Sequence, residues 1–443
     1  MLNKTPARTD VIVVGGGLAG LAAAANLARA GRSVTLFEQA VAVGGRAWTR
    51  KQGAFSLNQG AHALYLGGPA EQVLHELGIP YSGHVPLFST IAGIEGGKLS
   101  VLPTTLRSML HSKALRLPDK LELMRVLGSM QRLNPYAFQG MSWQEWLERH
   151  VRTPRVRQLL SVVARLNTYA HAPAILDAGL AIKLLQENPK VYYLDDGWQT
   201  LVDGLRQAAQ QAGGKIVTGA RVEAIEQDGI ALNVCLKGGE ICPAAAVLVA
   251  TDPVSTSALV DGGKHAVLCR WAAEAVPAQV ACLDIALQRL PNPQHLFALG
   301  IDRPLYFSVH SAFAHLAQEG SALIHTMKYF SPGEPREPKA DERELEALLD
   351  LVQPGWRSEV VERQFLPHML ASHAIVQAKQ GGMRGRPGPA VPGIHNLYVA
   401  GDWVGPEGQL SEASLASARL ASHLILTTPT AQWEYGYAAA SQA

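Results

Sequence analysis

Charge is scarce in this chain. Asp, Glu, Lys and Arg make up 17% of its 443 residues, below the roughly 25% of an ordinary soluble protein, so much of the chain is interior or lines an apolar cavity. The formal net charge of +2 is too small to argue for nucleic acid, and no RNP, zinc-finger or basic-helix pattern accompanies it. Cysteines number four and none forms a C-x-x-C pair, which argues against a disulfide framework and for a reducing, cytoplasmic setting. Cys235 and Cys242 flank a Gly238-Gly239 hairpin across which a bridge is geometrically open, and the reducing setting weighs against it. The histidines do not cluster with cysteines or acids at ligand spacing, so no metal is expected. No stretch supplies the ~18 uninterrupted apolar residues of a membrane span, and the start, MLNKTPARTD, lacks the apolar core of a secretion signal. What is abundant is hydrophobic, at 47%, in a length that suits two or three domains.

The most informative stretch is TDVIVVGGGLAGLAAAANLARAGRSVTLFEQ, Thr9 to Gln39. Val11 to Val14 have the length and β-branching of a buried parallel strand, and Leu18 to Ala30 the alanine richness of a helix pressed on a sheet. Gly31 closes that helix as a left-handed residue would, and Val34 to Glu38 make a second strand. Gly15, Gly17 and Gly20 have G-x-G-x-x-G spacing between strand and helix, the context that gives the motif meaning. Gly15 permits the tight turn, Gly17 the approach of a pyrophosphate, and Gly20 the contact of helix with strand. The phosphates would sit on amides at the helix start, those of Leu18 and Ala19 among them. Glu38, about 20 residues on, stands where a carboxylate accepts hydrogen bonds from a ribose diol.

Beyond Glu38 comes Gly44-Gly45-Arg46, and with it the chain resembles the flavoprotein superfamily of amine oxidases, protoporphyrinogen oxidases and phytoene desaturases, which binds FAD. Two glycines would let the backbone pass under the diphosphate while Arg46 offers it a planar cation. FSLNQGAH, Phe55 to His62, resembles the segment that turns along the flavin, with Gly60 and Ala61 close to the ring and His62 after them. Arg221 to Glu226 resembles the adenine-gripping stretch, with Val222 as the gripping residue. GIHNLYVAGDWVGPEGQLSEASLASARLAS resembles the closing motif, in which Gly401 and Asp402 serve the ribityl or pyrophosphate side. There Gln409, Leu410, Ser411 and Ala413 open a helix whose amides would face the flavin N1 and O2 edge. A helix N-terminus at that edge stabilises the negative charge of reduced flavin. Ala40 replaces an arginine common in amine oxidases, and Gln409 stands where they place a cage tyrosine, so the resemblance leans towards the phytoene-desaturase-like branch. His62 and Lys328 are the candidate catalytic residues, Lys328 because it follows an apolar strand roughly where amine oxidases carry a lysine near the flavin.

The resemblance implies an α/β fold, a Rossmann-like FAD-binding domain of the GR2 type, with an inserted helical and mixed-sheet substrate domain. Residues 1–85, 192–262 and 388–426 would form the discontinuous FAD-binding domain, 86–191 a helical domain, 263–387 a mixed sheet and 427–443 a tail. Residues 104–166 carry eleven Lys and Arg against four Asp and Glu, a net +7; these helices would meet solvent, an acidic substrate or, peripherally, a membrane surface. The implied chemistry is hydride transfer from a small, largely apolar substrate, with O2 or a quinone as acceptor. Two alternatives stand: oxidation of an amine C–N bond, and an isomerase or non-redox flavin-binding protein.

Overall fold

The computed structural model describes residues 9–428 apart from 89, 104–108, 110–114 and 230. The expected tail lies outside the described residues from 429 onward.

Five strands run parallel in the order Lys215–Thr218, Val34–Glu38, Thr9–Val14, Ile241–Val249 and Leu397–Val399. The apolar run at the start of the chain is continuous because both faces of its strand are covered. Val11 and Val13 pack with the helices Leu18–Arg29, Gln199–Gln211 and Ser411–Thr427. Ile12 and Val14 pack on the other side with Val222, Leu232 and Val234 of an antiparallel meander. Ile241–Val249 is the long strand of the sheet and changes partner along one edge. Its first half pairs antiparallel with Ala231–Leu236, and Val247 to Val249 then pair parallel with Leu397 to Val399. In this register Cys235 faces Ile241, and Cys242 faces Val234. The two cysteines are therefore offset by one residue and all four cysteines are free, so the hairpin places no bridge.

In the turn after the first strand, Gly15 and Gly20 meet steric demands that only glycine satisfies. Gly15 has φ +105°, and a Cβ on Gly20 would lie 1.9 Å from the Gly15 carbonyl oxygen. Around Gly17 a Cβ would meet nothing within 4 Å, and its φ of −76° is one any residue adopts. Helix and strand touch at Gly20; the space beside Gly17 is left for something else.

A second sheet has the order Val360–Ser372, Ala278–Leu287, Ala322–Tyr329, Leu305–Val309, Phe297–Gly300, Ala92–Glu95 and Lys98–Val101. The last two strands come from the segment 86–191 expected to be helical, a correction that follows from pairing: Ala92–Glu95 supplies the parallel neighbour that Phe297–Gly300 would otherwise lack. The rest of that segment forms the helices Leu117–Met130, Trp143–His150, Pro154–Thr168 and Ala178–Glu187. Ser142 caps the second of these, accepting from the Glu145 amide as an S-x-x-E start requires. These helices share one core with the inner face of the second sheet, into which Ala61 also packs. On the outer face lies Pro338–Val352, longer than the Leu345 to Val352 the apolar spacing suggests, since ion pairs to Arg363 and Lys328 anchor its polar first half. Among the described residues no helix is long and apolar enough to cross a membrane.

The helix–strand contact yields a test. Gly20→Ala, which drives a methyl into the Gly15 carbonyl, is expected to destabilise the protein by about 1–3 kcal/mol, the usual cost of overpacking, read as a lowered thermal midpoint.

Candidate functional site

The carboxyl ends of the parallel strands gather the residues singled out at the nucleotide end. Glu38 closes its strand with a carboxylate that accepts from the amides of Gly16, at 2.6 Å, and Ala40, at 2.8 Å. Gly44 has φ +125° and Gly45 φ +52°, and the Gly44 amide donates to the Gly16 carbonyl at 2.8 Å. Thus the second glycine pair runs directly alongside the first. Val222 begins its strand in the same apolar cluster as Val14 and Phe37, at the end of the groove where an adenine would lie.

The segment from Ala400 to Trp403 docks beside this turn. The Ala400 amide donates to the Val249 carbonyl, Trp403 Nε1 donates to the Thr251 carbonyl at 3.0 Å, and Gly401 is tied to Ser417 Oγ at 2.9 Å. Asp402 is buried and meets Arg46 at 2.8 Å, across 356 positions of sequence. His373 completes the cluster, with Nδ1 2.6 Å from Asp402 Oδ1 and its amide donating to Oδ2 at 3.1 Å. Although burial favours the neutral acid, Arg46 and His373 hold the Asp402 carboxyl far below the usual carboxylate range. Arg46 therefore turns its guanidinium onto Asp402, His373 and the Ala371 carbonyl, beside the groove, where it was expected to reach a diphosphate. Arg386, which the sequence did not single out, threads this loop, donating to the carbonyls of Asp402, Gly405, Glu407 and Gly408.

At the far end of the groove, Leu410 precedes Ser411–Thr427 with φ 55°, and no side chain caps that helix. The amides of Glu412 and Ala413 donate to the Gln409 carbonyl and that of Ser414 to the Leu410 carbonyl. Gln409 is buried, its Nε2 donating to the Asn167 carbonyl at 2.6 Å.

The sequence pattern of the family described as flavin containing amine oxidoreductase matches residues 18–426. The chain belongs to this family. Its cofactor is FAD. Among curated relatives it is similar to a hydroxyneurosporene desaturase of Cereibacter sphaeroides, 29% identical over 298 residues that cover 58% of this chain and 59% of the relative. The chain thus matches between about a third and three fifths of the length of these curated relatives. Among solved structures, an oxidoreductase from Methanosarcina mazei superposes with a TM-score of 0.73 at 20% identity, over 93% of this chain and 99% of that one. Cyclohexylamine oxidase from Brevibacterium oxydans does so with a TM-score of 0.71 at 14% identity, over 95% and 99%. The α/β architecture is that of FAD-binding amine-oxidase-type oxidoreductases.

The residues present fit this flavoprotein family's cofactor. The cradle that a Cβ on Gly17 would occupy is clear of the chain's own atoms, and the helix at Ser411 leaves its N-terminus without a side-chain cap. The amides of Gly17, Leu18 and Ala19 and the Gly44-Gly45 backbone would hold the diphosphate, Glu38 the ribose, Val222 the adenine, and Gln409 to Ala413 the pyrimidine edge of the flavin. Gly60 and Ala61 would run along the ring. Gly60 has φ +77°, and a Cβ there would come within 2.6 Å of Met369 Sδ and 2.9 Å of Cys282 Sγ. Both belong to the inner face of the second sheet, so only glycine lets the sheet approach so closely. Tyr169, Tyr306 and Tyr329 belong to the same apolar cluster as Ala61 and Cys282, and burial raises all three phenols. His62 follows, its Nδ1 3.0 Å from the Gly60 carbonyl and its ring 5.1 Å from that of Trp198. Burial lowers its pKa, with weaker contributions of both signs around it. Donation from Nδ1 to a carbonyl leaves Nε2 as an acceptor.

Lys328 is not in this flavin site. Met327 and Tyr329 face the chamber, whereas Lys328 pairs with Ala281 and Leu305 on the outer face. There its ammonium meets Asp341 at 2.7 Å and Glu344 at 3.0 Å on the covering helix. The reason is the two-residue period of a strand: one position decides which face a side chain takes. An apolar run could locate the strand but not its phase. The tyrosines and Arg386 carried no local signal, since their roles arise from elements far apart in sequence. The lone Asp284 and His325 inside apolar strands were a signal that went unused.

Two expectations follow. Gly17→Ala leaves the fold intact yet weakens FAD binding by about 10- to 100-fold, roughly one charge-assisted hydrogen bond of about 1.5–3 kcal/mol, measured by fluorescence titration of apoprotein. Lys328→Met strips Asp341 of its buried cation and costs about 3–5 kcal/mol of stability, while the visible spectrum of bound flavin stays unchanged; a melt and an absorbance scan read both.

Proposed function

We propose that the protein is an FAD-dependent oxidoreductase of the desaturase or dehydrogenase type, removing hydride from a carbon of a small, largely apolar substrate, with O2 or a quinone as the final acceptor. The observation that supports this reading is the apolar cluster packed beside Gly60 and Ala61: Val280, Cys282, Met327 and Met369 bring apolar and sulfur-bearing side chains to it, and the one lysine of these strands turns away. FAD when bound supplies the two-electron acceptor. The chain's own part is to position a substrate carbon, exclude water and place proton-handling groups. Gly60 would leave room for the ring segment against the sheet, and the helix N-terminus at Ser411 would favour negative charge at the pyrimidine edge.

Amine oxidation is the second reading, favoured by Tyr169 and Tyr329, whose rings stand 6.4 Å apart at 63°. They would supply aromatic walls that the residue at 409 does not. Any peripheral membrane contact would involve the helix Leu117–Met130, where Leu117 and Leu121 are exposed one turn apart.

Anaerobic mixing separates these readings. A desaturase is expected to lose the yellow absorbance of its oxidised flavin with an activated alkene and not with a primary amine, an amine oxidase the reverse. Yellow protein bleached by neither class, and active only after prior reduction, would replace both with an isomerase.

A further inference from the structure

The inner face of the second sheet carries a group that hydride chemistry alone leaves idle. Asp284 and His325 are both fully buried on adjacent strands, paired in register, with Nδ1 2.7 Å from Oδ1. Asp284 Oδ2 accepts from Gln364 Nε2 at 3.1 Å, and the same amide donates to the Asn58 carbonyl at 2.9 Å. The pair is thereby fastened beneath the segment that leads into Gly60. Asp284 also lies two residues beyond Cys282, on the same face of its strand, and Cys282 packs against Gly60. At the other end of the imidazole, Nε2 of His325 is buried and has no hydrogen-bond partner. A buried polar atom without a partner is costly and rare. Here it belongs to a ring whose opposite nitrogen is held by a carboxylate, the arrangement that fixes a tautomer and stabilises an imidazolium.

The neighbouring ionisable groups single out His325. From the segment above come His62, whose protonated form is disfavoured first by burial and then by His325 and Arg46, while Asp284 favours it. From the turn after Leu305–Val309 comes His310, its ring centroid 4.5 Å from that of His325 and its Nε2 3.2 Å from Tyr306 Oη. Burial, then His325 and His62, hold His310 well below the ordinary imidazole range. From Lys190–Leu194 comes Tyr193, stacked on His310 at 3.8 Å and pushed up to about 12 by burial. The Cys282 thiol is raised by burial and by Asp284. Of the three imidazoles, His325 is the one joined to a carboxylate.

We propose that Asp284 and His325 form the proton-accepting element of the flavin chamber, with His325 Nε2 the atom that takes the proton. This rests on the FAD-oxidoreductase reading and deepens it. A dehydrogenation breaks two bonds. One C–H pair leaves as hydride to the flavin, which is reduced by two electrons. The proton on the neighbouring carbon or nitrogen passes to Nε2, and the electrons of that second bond form the new double bond. Imidazole is too weak a base for an unactivated C–H, so the substrate class is one whose reacting carbon adjoins unsaturation or nitrogen, where developing positive charge acidifies the neighbouring hydrogen. Asp284 stabilises the imidazolium that results.

The test uses the FAD-loaded protein and dithionite as reductant. If His325 is protonated in the reduced state, two protons accompany two electrons. The midpoint potential then falls by about 59 mV per pH unit wherever that second proton accompanies reduction, because one proton is worth about 30 mV in a two-electron couple. His325→Gln and Asp284→Asn are expected to halve that slope while staying yellow. Histidine-labelled 15N spectra of the wild type should show one imidazole gaining a proton on reduction, a readout independent of whether the variants fold. An unchanged slope in folded variants, or no imidazole altered on reduction, overturns the proposal alone. A lost slope in His62→Gln with His325→Gln unaffected moves the proton to His62 and also overturns it. A wild type that retains no flavin overturns the reading beneath it as well.

Discussion

A strand buried in the middle of a sheet must satisfy its backbone groups along both edges, because an unpaired amide or carbonyl away from water costs as much as a lost hydrogen bond. Ile241–Val249 is that strand. Thr9–Val14 occupies one edge, and the other is shared between Ala231–Leu236 and Leu397–Val399. The exchange of partners brings the segment from Leu397 onward close to Thr9–Val14. From it follow the position of Asp402 next to Arg46, the docking of Ser411–Thr427 on Leu18–Arg29, and a single groove that no contiguous stretch could make.

The groove is built largely of backbone. At Gly17 no side chain stands where a diphosphate would pass, whereas a Cβ on Gly15 would meet the Ala250 carbonyl and one on Gly44 the Val202 side chain, and the helices starting at Leu18 and Ser411 have no side-chain cap at their N-termini. These groups favour negative charge without placing a mobile cation in the way. The charged side chains nearby serve instead to hold loops: Arg46 and His373 on Asp402, Arg386 on four carbonyls. Arg46 and Arg386 thus act mainly on the chain itself.

The second sheet adds the chamber, and alternation along its strands divides two kinds of chemistry by a single residue. Inward positions bring Cys282, Asp284, His325, Met327 and Tyr329 towards the Gly60 segment; outward positions bring Lys328 to the acids of Pro338–Val352. A chamber so lined is apolar but not inert. Its polar members are paired in the interior, which makes each of them expensive to leave unsatisfied and sensitive to charge.

The local pattern of residues was enough to determine the nucleotide turn, its two strands and helix, the position of Glu38 and the closing helix, because each depends on contacts within about thirty residues: glycine spacing, β-branching and alanine content. Family likeness extended this to the binding of FAD. The hairpin Ala92–Val101 joining the far sheet, the outward phase of Lys328, the register that separates Cys235 from Cys242 and the burial of Asp284 against His325 were decided only by tertiary structure. Each turns on which strand pairs with which and in what phase. A strand's side chains exchange faces with every residue of shift, and nothing within a short apolar run records the partner that sets it.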